Sequence, residues 1–397
     1  MPRHSAYKAF FAAIFSILGF SAHAVPSYTI LDLGTLAGAT SRGKGVNDSG
    51  QVTGRAQAVY DPMTGGYFSH AFVWDKASGM TDLGTITGSW WSGGNAINND
   101  GQVTGSSALS YLFSTHAFIW NSTTGMIDLG TLGGGTGTVP YSTSHGSGIN
   151  DTGVVTGTSI TNEGTDHAFL WDAVNGMVDL GPLGLGSGNS SGADINDSGL
   201  VTGSYSVSAG PIGEVPHAYL WDAVDGLTDI GTLGGLSSAG TGINNLGQVT
   251  GYSSITPDPF YSPSHAFFWD ATGGMTDLGT LGGTSSYPTA INDSGRVVGR
   301  SEIVDDAVPR AFLWDPVDGM LNLQDLLADF SDWEYLESAE DISNTGYITG
   351  YGYNADGIRR AFLLVPSENG VSISSPISLM AFGLTWFGFR TFRAKQL

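Results

Sequence analysis

The chain contains no cysteine in 397 residues. This absence excludes disulfide bonds, a thiol nucleophile and any metal site built on cysteine. Stability must therefore come from side-chain packing and backbone pairing, which a chain of this length can supply.

Lysine and arginine are also scarce, with 14 of them against 36 aspartate and glutamate residues. Five of the basic residues lie in the terminal segments, and these are Arg3, Lys8, Arg390, Arg393 and Lys395. The body of the chain keeps the other nine. Such an acidic surface repels phosphate backbones, so we expect no nucleic-acid partner.

Recognisable catalytic motifs are missing as well. The sequence has no His-Glu-x-x-His zinc motif. The acidic clusters Asp305–Asp306 and Glu334 with Glu337 are the ones from which a glycosidase carboxylate pair could be built. A solvated acidic loop is the simpler interpretation of both clusters, so we assign no catalytic residue.

What the sequence does contain is one pattern that recurs seven times. A copy has a His-Ala-Phe-Leu-Trp-Asp word at 167–172, a Gly-Met-Val-Asp-Leu-Gly word at 176–181, an Ile-Asn-Asp-Ser-Gly word at 195–199 and Val-Thr-Gly at 201–203. Copies follow at steps of 45 to 51 residues. The first word begins at His70, His116, His167, His217, His265, Arg310 and Arg360. A fixed period in this range is typical of a repeat architecture.

Each copy has the length and turn residues of four short strands. In the first word, alternation places Phe169 and Trp171 on one face of a strand and Ala168 and Leu170 on the other. Four strands per repeat of this length predict an all-β fold, a seven-bladed β-propeller over residues 25–366. A β-solenoid and a sandwich array are the alternatives. The strand with which a blade begins stays open, and with it the way the ring closes.

A side chain that recurs in every copy is expected to hold each repeat together. We therefore interpret the seven His and Arg residues of the first word as structural. Each would donate a hydrogen bond to a turn aspartate or a backbone carbonyl, with the tryptophan of the word covering the pocket. The turn aspartates, as at Asn150-Asp151-Thr152-Gly153, offer oxygen ligands, and calcium is the one cofactor they suggest. Turn chemistry explains these aspartates without an ion, and no metal-ligating residue is assigned.

The connections between strands vary most in length and composition, and specificity tends to reside in such loops. Aromatic side chains in these connections are our candidates for ligand binding. They are Trp90 and Trp91 in one connection and Phe260 and Tyr261 in another.

Both ends of the chain have the composition of targeting segments. Residues 1–24 combine a basic start, a short apolar stretch and small residues at Ala22 and Ala24, as in a cleaved signal peptide. Residues 367–397 combine a linker, an uncharged stretch at 370–389 and a basic cluster. This stretch is long enough for a transmembrane helix that places the repeats outside the cell. A poorly ordered tail or a last amphipathic strand is the alternative.

The ordered words resemble the HAF-repeat family of probable extracellular bacterial proteins, from about Tyr28 to Val365. The family carries no assigned activity. The C-terminal arrangement resembles the PEP-CTERM sorting tail of exported Gram-negative proteins in its apolar and basic parts. Its Pro-Glu-Pro-like motif is not matched, since Val365-Pro366-Ser367-Glu368 has no second proline. The resemblance implies export to the cell surface or outside the cell.

Together these features favour an exported, non-enzymatic repeat protein that binds or scaffolds a polysaccharide or a surface protein. The tail would associate the chain with a membrane, at least transiently. The alternative function is an extracellular polysaccharide hydrolase or lyase on a propeller scaffold.

Overall fold

The structure is a computed structural model. It describes residues 26–367 except 64, 110–113, 134–140, 182–187, 259–261 and 305, and the side chains of 306 and 307 are also outside the description. The predicted signal peptide and the predicted apolar tail lie outside the described residues. Within these limits, no helix has the length and apolarity needed to cross a membrane.

Twenty-eight strands form seven antiparallel sheets of four strands each. The chain enters with β1 (Tyr28–Asp32). Blades 1 to 3 follow as β2 (Ser41–Val46), β3 (Val52–Asp61), β4 (Gly66–Asp75) and β5 (Gly79–Gly84); β6 (Ser92–Ile97), β7 (Val103–Ala108), β8 (Thr115–Asn121) and β9 (Gly125–Asp128); and β10 (Ser144–Ile149), β11 (Val155–Ile160), β12 (Asp166–Asp172) and β13 (Gly176–Asp179).

Blades 4 to 6 repeat this order. They are β14 (Ser190–Ile195), β15 (Val201–Ser208), β16 (Glu214–Asp222) and β17 (Gly226–Gly231); β18 (Ser238–Ile243), β19 (Val249–Ser254), β20 (Ser264–Asp270) and β21 (Gly274–Asp277); and β22 (Gly282–Ile291), β23 (Val297–Ile303), β24 (Asp306–Asp315) and β25 (Gly319–Asn322). Two short 3₁₀ turns occur at Gly210–Ile212 and Leu323–Leu326.

Blade 7 closes the ring with strands from both ends of the described chain. It contains β26 (Trp333–Ile342), β27 (Ile348–Asn354) and β28 (Arg359–Pro366), and β1 pairs with the outer edge of β28. The first strands of neighbouring blades contact one another around the ring, so they line the central channel. The predicted seven-bladed propeller is confirmed. A blade begins with the strand that ends in the Ile-Asn-Asp word.

Side chains of two blades form the core between them, as the alternation along the first word predicts. Between blades 2 and 3, Ala117 and Ile119 of one blade pack against Ile149, Val155 and Phe169 of the next. The equivalents of Phe169 are fully buried in every blade. A buried aromatic ring removes a large apolar area from water, so this residue is a main source of cohesion between blades.

The innermost strands approach their neighbours through glycine. A Cβ atom added to Gly43 would lie 2.2 Å from Oγ1 of Thr349 in the preceding blade. The same close approach joins Gly94 to Thr53 and Gly146 to Thr104. These strands are therefore held by close backbone contact, and their glycine and serine content follows from it.

A serine at the start of the inner strand adds a hydrogen bond between blades. Oγ of Ser92 accepts the backbone N–H of Ala71 at 2.8 Å and donates to the carbonyl oxygen of Gly84. The backbone N–H of the equivalent alanine donates to the serine of the next blade at six of the seven interfaces. This bond satisfies buried backbone groups where two blades meet.

The antiparallel order gives the propeller two different ends. At the Asn end, the Asn-Asp turns join the first and second strands. At the loop end, connections of variable length join the second and third strands, and the His-Ala-Phe word begins there. Residues that can meet an external ligand are thus distributed over two separate surfaces.

Candidate functional site

The histidines of the first word pair with the aspartate of the second word. In blade 3, Nδ1 of His167 lies 2.9 Å from both carboxylate oxygens of Asp179, where β12 runs beside β13. The same pair occurs in blades 1 to 5 at 2.8–3.0 Å. Because the residues stand on neighbouring outer strands, each pair ties the edge of its own blade, and the five histidines do not converge.

This contact lowers the pKa of Asp82, Asp128 and Asp229. Burial alone would raise the pKa of Asp82, but hydrogen bonds from His70 and from the N–H of Gly84 outweigh it and hold the pKa below the usual value. The pKa values of Asp128 and Asp229 are lowered by the same balance of burial, histidine and backbone N–H. The carboxylates therefore stay ionised to lower pH than free aspartate.

In blade 2 the pair is extended by a serine. Nε2 of His116 lies 3.1 Å from Oγ of Ser142, while Nδ1 lies 2.8 Å from Asp128. This is the order of groups that activates a serine nucleophile. His167 has a longer contact of 3.4 Å, to Oγ1 of Thr165, so the serine contact distinguishes blade 2 from blade 3.

The arginines that replace histidine in blades 6 and 7 make other contacts. Nη1 of Arg310 donates to the carbonyl oxygen of Val308 at 2.8 Å, and its guanidinium lies 4.8 Å from the ring centre of Tyr335. Arg360 is half-buried beside β27, with Gly352 as its pairing partner.

The tryptophan of the first word lies at the other end of its strand. Trp171 pairs with Met177 and is four residues from His167, which is about 13 Å along a strand. Trp171 packs on the core between blades 2 and 3. The expectation that this tryptophan covers the histidine pocket is therefore wrong.

At the Asn end, the turn residues link the blades into a ring. The asparagine of each turn donates from Nδ2 to the carbonyl oxygen of the equivalent residue in the next blade, from Asn47 to Asn98 at 3.0 Å and so on to Ser343. The following aspartates accept backbone N–H groups from neighbouring turns, as Asp151 does from Asn99. Within the described residues, no group of three or more metal-ligating side chains is arranged to hold an ion.

Two aspartates, Asp194 and Asp341, lie on the inner strands, each two residues before the ring residue of its blade, Asn196 or Ser343. Burial raises the pKa of Asp194 to about 7 and that of Asp341 to about 6, although each accepts two backbone N–H groups. One acceptor bond of each crosses to the next blade, to Ile243 and to Val46. The sequence analysis did not select either residue. An aspartate at a position that is glycine or alanine in the other five blades could have identified them.

The predicted ligand-binding tryptophans differ in exposure. Trp90 is 38% exposed, and its ring lies 6.3 Å from that of Phe68. With Val59 and His70, these rings line a groove of about 420 Å³ at the loop end. Trp91 is half-buried.

The groove belongs to a longer hairpin than the other blades have near this position. Strands β3 and β4 extend to ten residues each, which carries Tyr60 and Tyr67 beyond the body of blade 1. These two rings are 54% and 42% exposed and pack edge to face at 5.4 Å. We call Val59, Phe68 and Trp90 the hairpin surface. Tyr60 and Tyr67 stand one residue further along each strand and project from the opposite face of the hairpin.

The other residues that the sequence selects either lie apart from the groove or fall outside the described residues. Phe260, Tyr261 and Asp305 lie outside the described residues, as does the side chain of Asp306. Glu334 is exposed and Glu337 half-buried on β26.

The structure also brings together residues that sequence reasoning did not select. Arg42, Tyr287 and Tyr351 gather with three further side chains at the loop end of the channel. Their equivalents in other blades are glycine, serine, threonine, alanine or histidine. The available signal was this departure from the repeat at positions inside strands.

No protein family matches the sequence, and no curated protein matches it. Among solved structures, the acylaminoacyl peptidase of Pyrococcus horikoshii is similar, with a TM-score of 0.51 and 12% identity over 92% of this chain and 57% of that chain. This chain therefore spans just over half of the peptidase. A gluconolactonase from Xanthomonas campestris has a TM-score of 0.38 and 11% identity over 86% of this chain and 95% of that chain. At such identities the likeness shows the fold alone.

Proposed function

We propose that this chain is an exported, non-enzymatic repeat protein that binds polysaccharide at the cell surface or in the surrounding matrix. The observation that carries the proposal is the hairpin surface. Exposed apolar side chains occur singly on most of a protein surface, whereas here the rings of Phe68 and Trp90 lie together along a groove. Aromatic rings offer flat, rigid faces on which the C–H face of a sugar ring can pack.

The chemistry of the groove agrees with a sugar ligand. Its wall includes Thr85 and Ser89 beside Trp90, so hydroxyl groups stand next to an aromatic face. A few polar groups among apolar ones are typical of small-molecule sites. Export is supported by the composition of residues 1–24, and surface retention by that of residues 367–397.

Glycan-array binding of the purified protein tests the proposal. We expect binding to at least one polysaccharide class, with a loss of about tenfold or more in Trp90→Ala and Phe68→Ala. Tyr141→Ala is the matched control, because Tyr141 is 46% exposed in a different blade. Absence of glycan binding, together with selective capture of a surface protein by the same residues, would replace the polysaccharide with a protein partner.

One observation favours a second function, the hydrolysis of ester groups on an extracellular polysaccharide. It is the Ser142–His116–Asp128 arrangement, in which serine attack on the ester carbonyl would pass its proton to His116. The recurrence of the His–Asp pair without serine in other blades favours the structural interpretation. A fluorophosphonate probe separates the two, since an activated serine is labelled in the wild type and not in Ser142→Ala.

A further inference from the structure

Two strands of each blade place side chains around the loop end of the channel. The second residue of the inner strand and its partner on the next strand form one pair per blade. The pairs are Arg42 with Arg55, Gly93 with Ser106, His145 with Thr158, Ser191 with Ser204, Ala239 with Tyr252, Tyr287 with Arg300 and, in blade 7, Ser338 with Tyr351. Apart from His145 in blade 3, the large side chains are confined to blades 5, 6, 7 and 1.

These large side chains form two contacting groups, Tyr252 with Tyr287 and Arg300, and Arg42 with Tyr351. The rings of Tyr252 and Tyr287 lie 5.5 Å apart, edge to face. The guanidinium of Arg300 lies 5.5 Å from the ring centre of Tyr287, and that of Arg42 lies 4.6 Å from that of Tyr351. We call Arg42, Arg55, Tyr252, Tyr287, Arg300 and Tyr351 the arginine–tyrosine arc.

The arc concentrates positive charge in an acidic protein. It holds three of the nine basic residues of the body, against 36 acidic residues in the chain. Burial lowers the pKa of Arg55, the positive charges of Arg42 and Arg359 lower it further, and Tyr351 and Glu340 oppose the shift without reversing it. Like charges are therefore held together here at a cost in free energy, which an anion would relieve.

The guanidinium groups also retain hydrogen-bonding capacity. Nε of Arg42 is buried and has no hydrogen-bond partner within the described part of the chain. The carboxylates of Glu337 and Glu340 lie near Tyr351, but Glu340 forms its ion pair with Lys44. A buried donor without a partner is uncommon, and Nε of Arg359, whose charge acts on Arg55, is in the same state.

We propose that the arginine–tyrosine arc binds a carboxylate-bearing sugar, a uronate residue of an acidic polysaccharide. A guanidinium group matches the planar carboxylate through two parallel hydrogen bonds, and the tyrosine rings provide faces for the sugar. Half-buried Arg42 and Tyr287 and exposed Arg300 keep the arc accessible. The facing blades 2 and 4 carry small side chains at these positions, such as Ser106 and Ser191.

This proposal rests on the proposed polysaccharide function and adds a charge class to it. Arc and hairpin surface both lie at the loop end, so one chain of sugars can contact both. The arc would bind the carboxylate, and the hairpin surface would bind the rings of both neutral and acidic sugars. The two sites are therefore separable by variants.

Calorimetric titration with two matched oligosaccharides tests the assignment. One is a uronate oligomer, and the other has the same linkage with CH₂OH in place of each carboxylate. We expect the wild-type protein to bind the uronate at least tenfold more tightly, with the preference falling as salt is added. Arg42→Gln and Arg300→Gln should remove this preference and leave affinity for the neutral oligomer unchanged.

Controls distinguish the arc from general charge effects. Lys76→Gln removes one positive charge from an exposed turn at the Asn end and should change nothing. Arg42→Lys retains the positive charge but cannot form two parallel hydrogen bonds to a carboxylate, so it should lose most of the preference for the uronate oligomer. Circular dichroism verifies that each variant is folded, and Tyr287→Leu gives a second variant that removes a sugar-facing ring without changing charge.

Three results would overturn the assignment. Equal affinity for the two oligomers would show that the arc does not recognise carboxylate, while the hairpin surface could still bind sugars. Inorganic phosphate or a sulfated oligomer that binds as tightly as the uronate would identify a general anion site. Failure of both oligomers to bind, with no glycan found on the array, would count against the polysaccharide function itself.

Discussion

Asn98 of blade 2 donates a hydrogen bond from Nδ2 to the carbonyl oxygen of Asn150 in blade 3 at 3.0 Å. The same amide bonds the side chain of Gln102, and its Oδ1 accepts the N–H of that residue. One buried asparagine thus closes the turn of its own blade and joins the next. The bond recurs at six interfaces, and between blades 7 and 1 Oγ1 of Thr345 donates instead to the carbonyl oxygen of Asp48 at 2.9 Å, so the Asn end is a continuous hydrogen-bonded ring.

Replacing this asparagine should weaken the whole propeller. We expect Asn98→Ala to lower the free energy of unfolding by about 1–3 kcal/mol, because buried partners lose their hydrogen bonds. Denaturant unfolding followed by tryptophan fluorescence measures the change. Asn175→Ala removes an asparagine from an exposed turn and should stay within about 0.5 kcal/mol of the wild type. Equal effects of the two variants would contradict a special role for the ring.

The repeated words predict the strands because local chemistry determines them. Asn-Asp-Ser-Gly turns, glycine at positive φ such as Gly50 and the alternation around Phe169 each act within a few residues. The blade frame depends instead on which strand edges meet across the ring. Gly43 lies against Thr349, a contact between opposite ends of the chain that no local pattern encodes.

Local sequence predicts the candidate site residues less completely than it predicts the strands. Trp90 was predicted from a variable connection, where aromatic residues stand out from small neighbours. The arc was missed because its members occupy strand positions and are widely separated along the chain, as Arg42 and Tyr351 are. Its charge and aromatic character emerge only when equivalent positions of seven blades are placed side by side.

Strand β1 should be essential for a closed ring. It pairs with β28 over five residues, and Tyr28 is only 1% exposed. We expect removal of residues 26–33 to lower the melting temperature by about 10 °C or more, since blade 7 loses its outer strand and Leu33 leaves the adjoining core. Thermal unfolding by circular dichroism measures the loss.

A peptide can test whether this loss comes from the missing strand. A synthetic peptide of residues 26–35 should restore part of the melting temperature in the truncated protein, because added strands pair with an exposed sheet edge. A peptide of scrambled sequence should not. If the truncated protein were as stable as the full chain, closure through β1 would be refuted.

The channel carboxyls should make stability fall as pH rises. The pKa of Asp194 is raised to about 7 and that of Asp341 to about 6, so between pH 4 and 7 the folded state binds more protons than the unfolded chain. Bound protons therefore favour folding at pH 4, and this advantage is lost as pH rises through the folded pKa values. At about 1.4 kcal/mol per pKa unit, we expect a decline of roughly 3–4 kcal/mol from each group.

The chain supplies the matched substitution for this test. Ala96 and Ala290 occupy the equivalent positions in blades 2 and 6. The double variant Asp194→Ala/Asp341→Ala should show a flatter dependence of unfolding free energy on pH between 4 and 8, and should gain on the wild type at pH 8. A wild-type stability that rises with pH over this range, unchanged in the variant, would show that these carboxyls are ionised at no cost.

The His–Asp pairs should contribute in the opposite direction. Burial would raise the pKa of Asp128, but the hydrogen bonds from His116 and from the N–H of Gly130 lower it overall. A carboxyl with a lowered folded pKa stabilises the protein above the unfolded pKa near 4, and the contribution is lost as pH falls through the folded value. Because the Asp128 side chain is 35% exposed, solvent screens the pair, and we expect about 0.5–1 kcal/mol at pH 7.

The substitution Asp128→Asn measures this contribution. The variant should be less stable than the wild type at pH 7, and the two unfolding free energies should converge below about pH 3. Asp225→Asn in an exposed turn is the control and should follow the wild type at every pH. A difference that persists in full at pH 2.5 would mean that Asp128 acts through hydrogen-bond geometry alone. The charge of the carboxylate would then have no part in joining the outer strands.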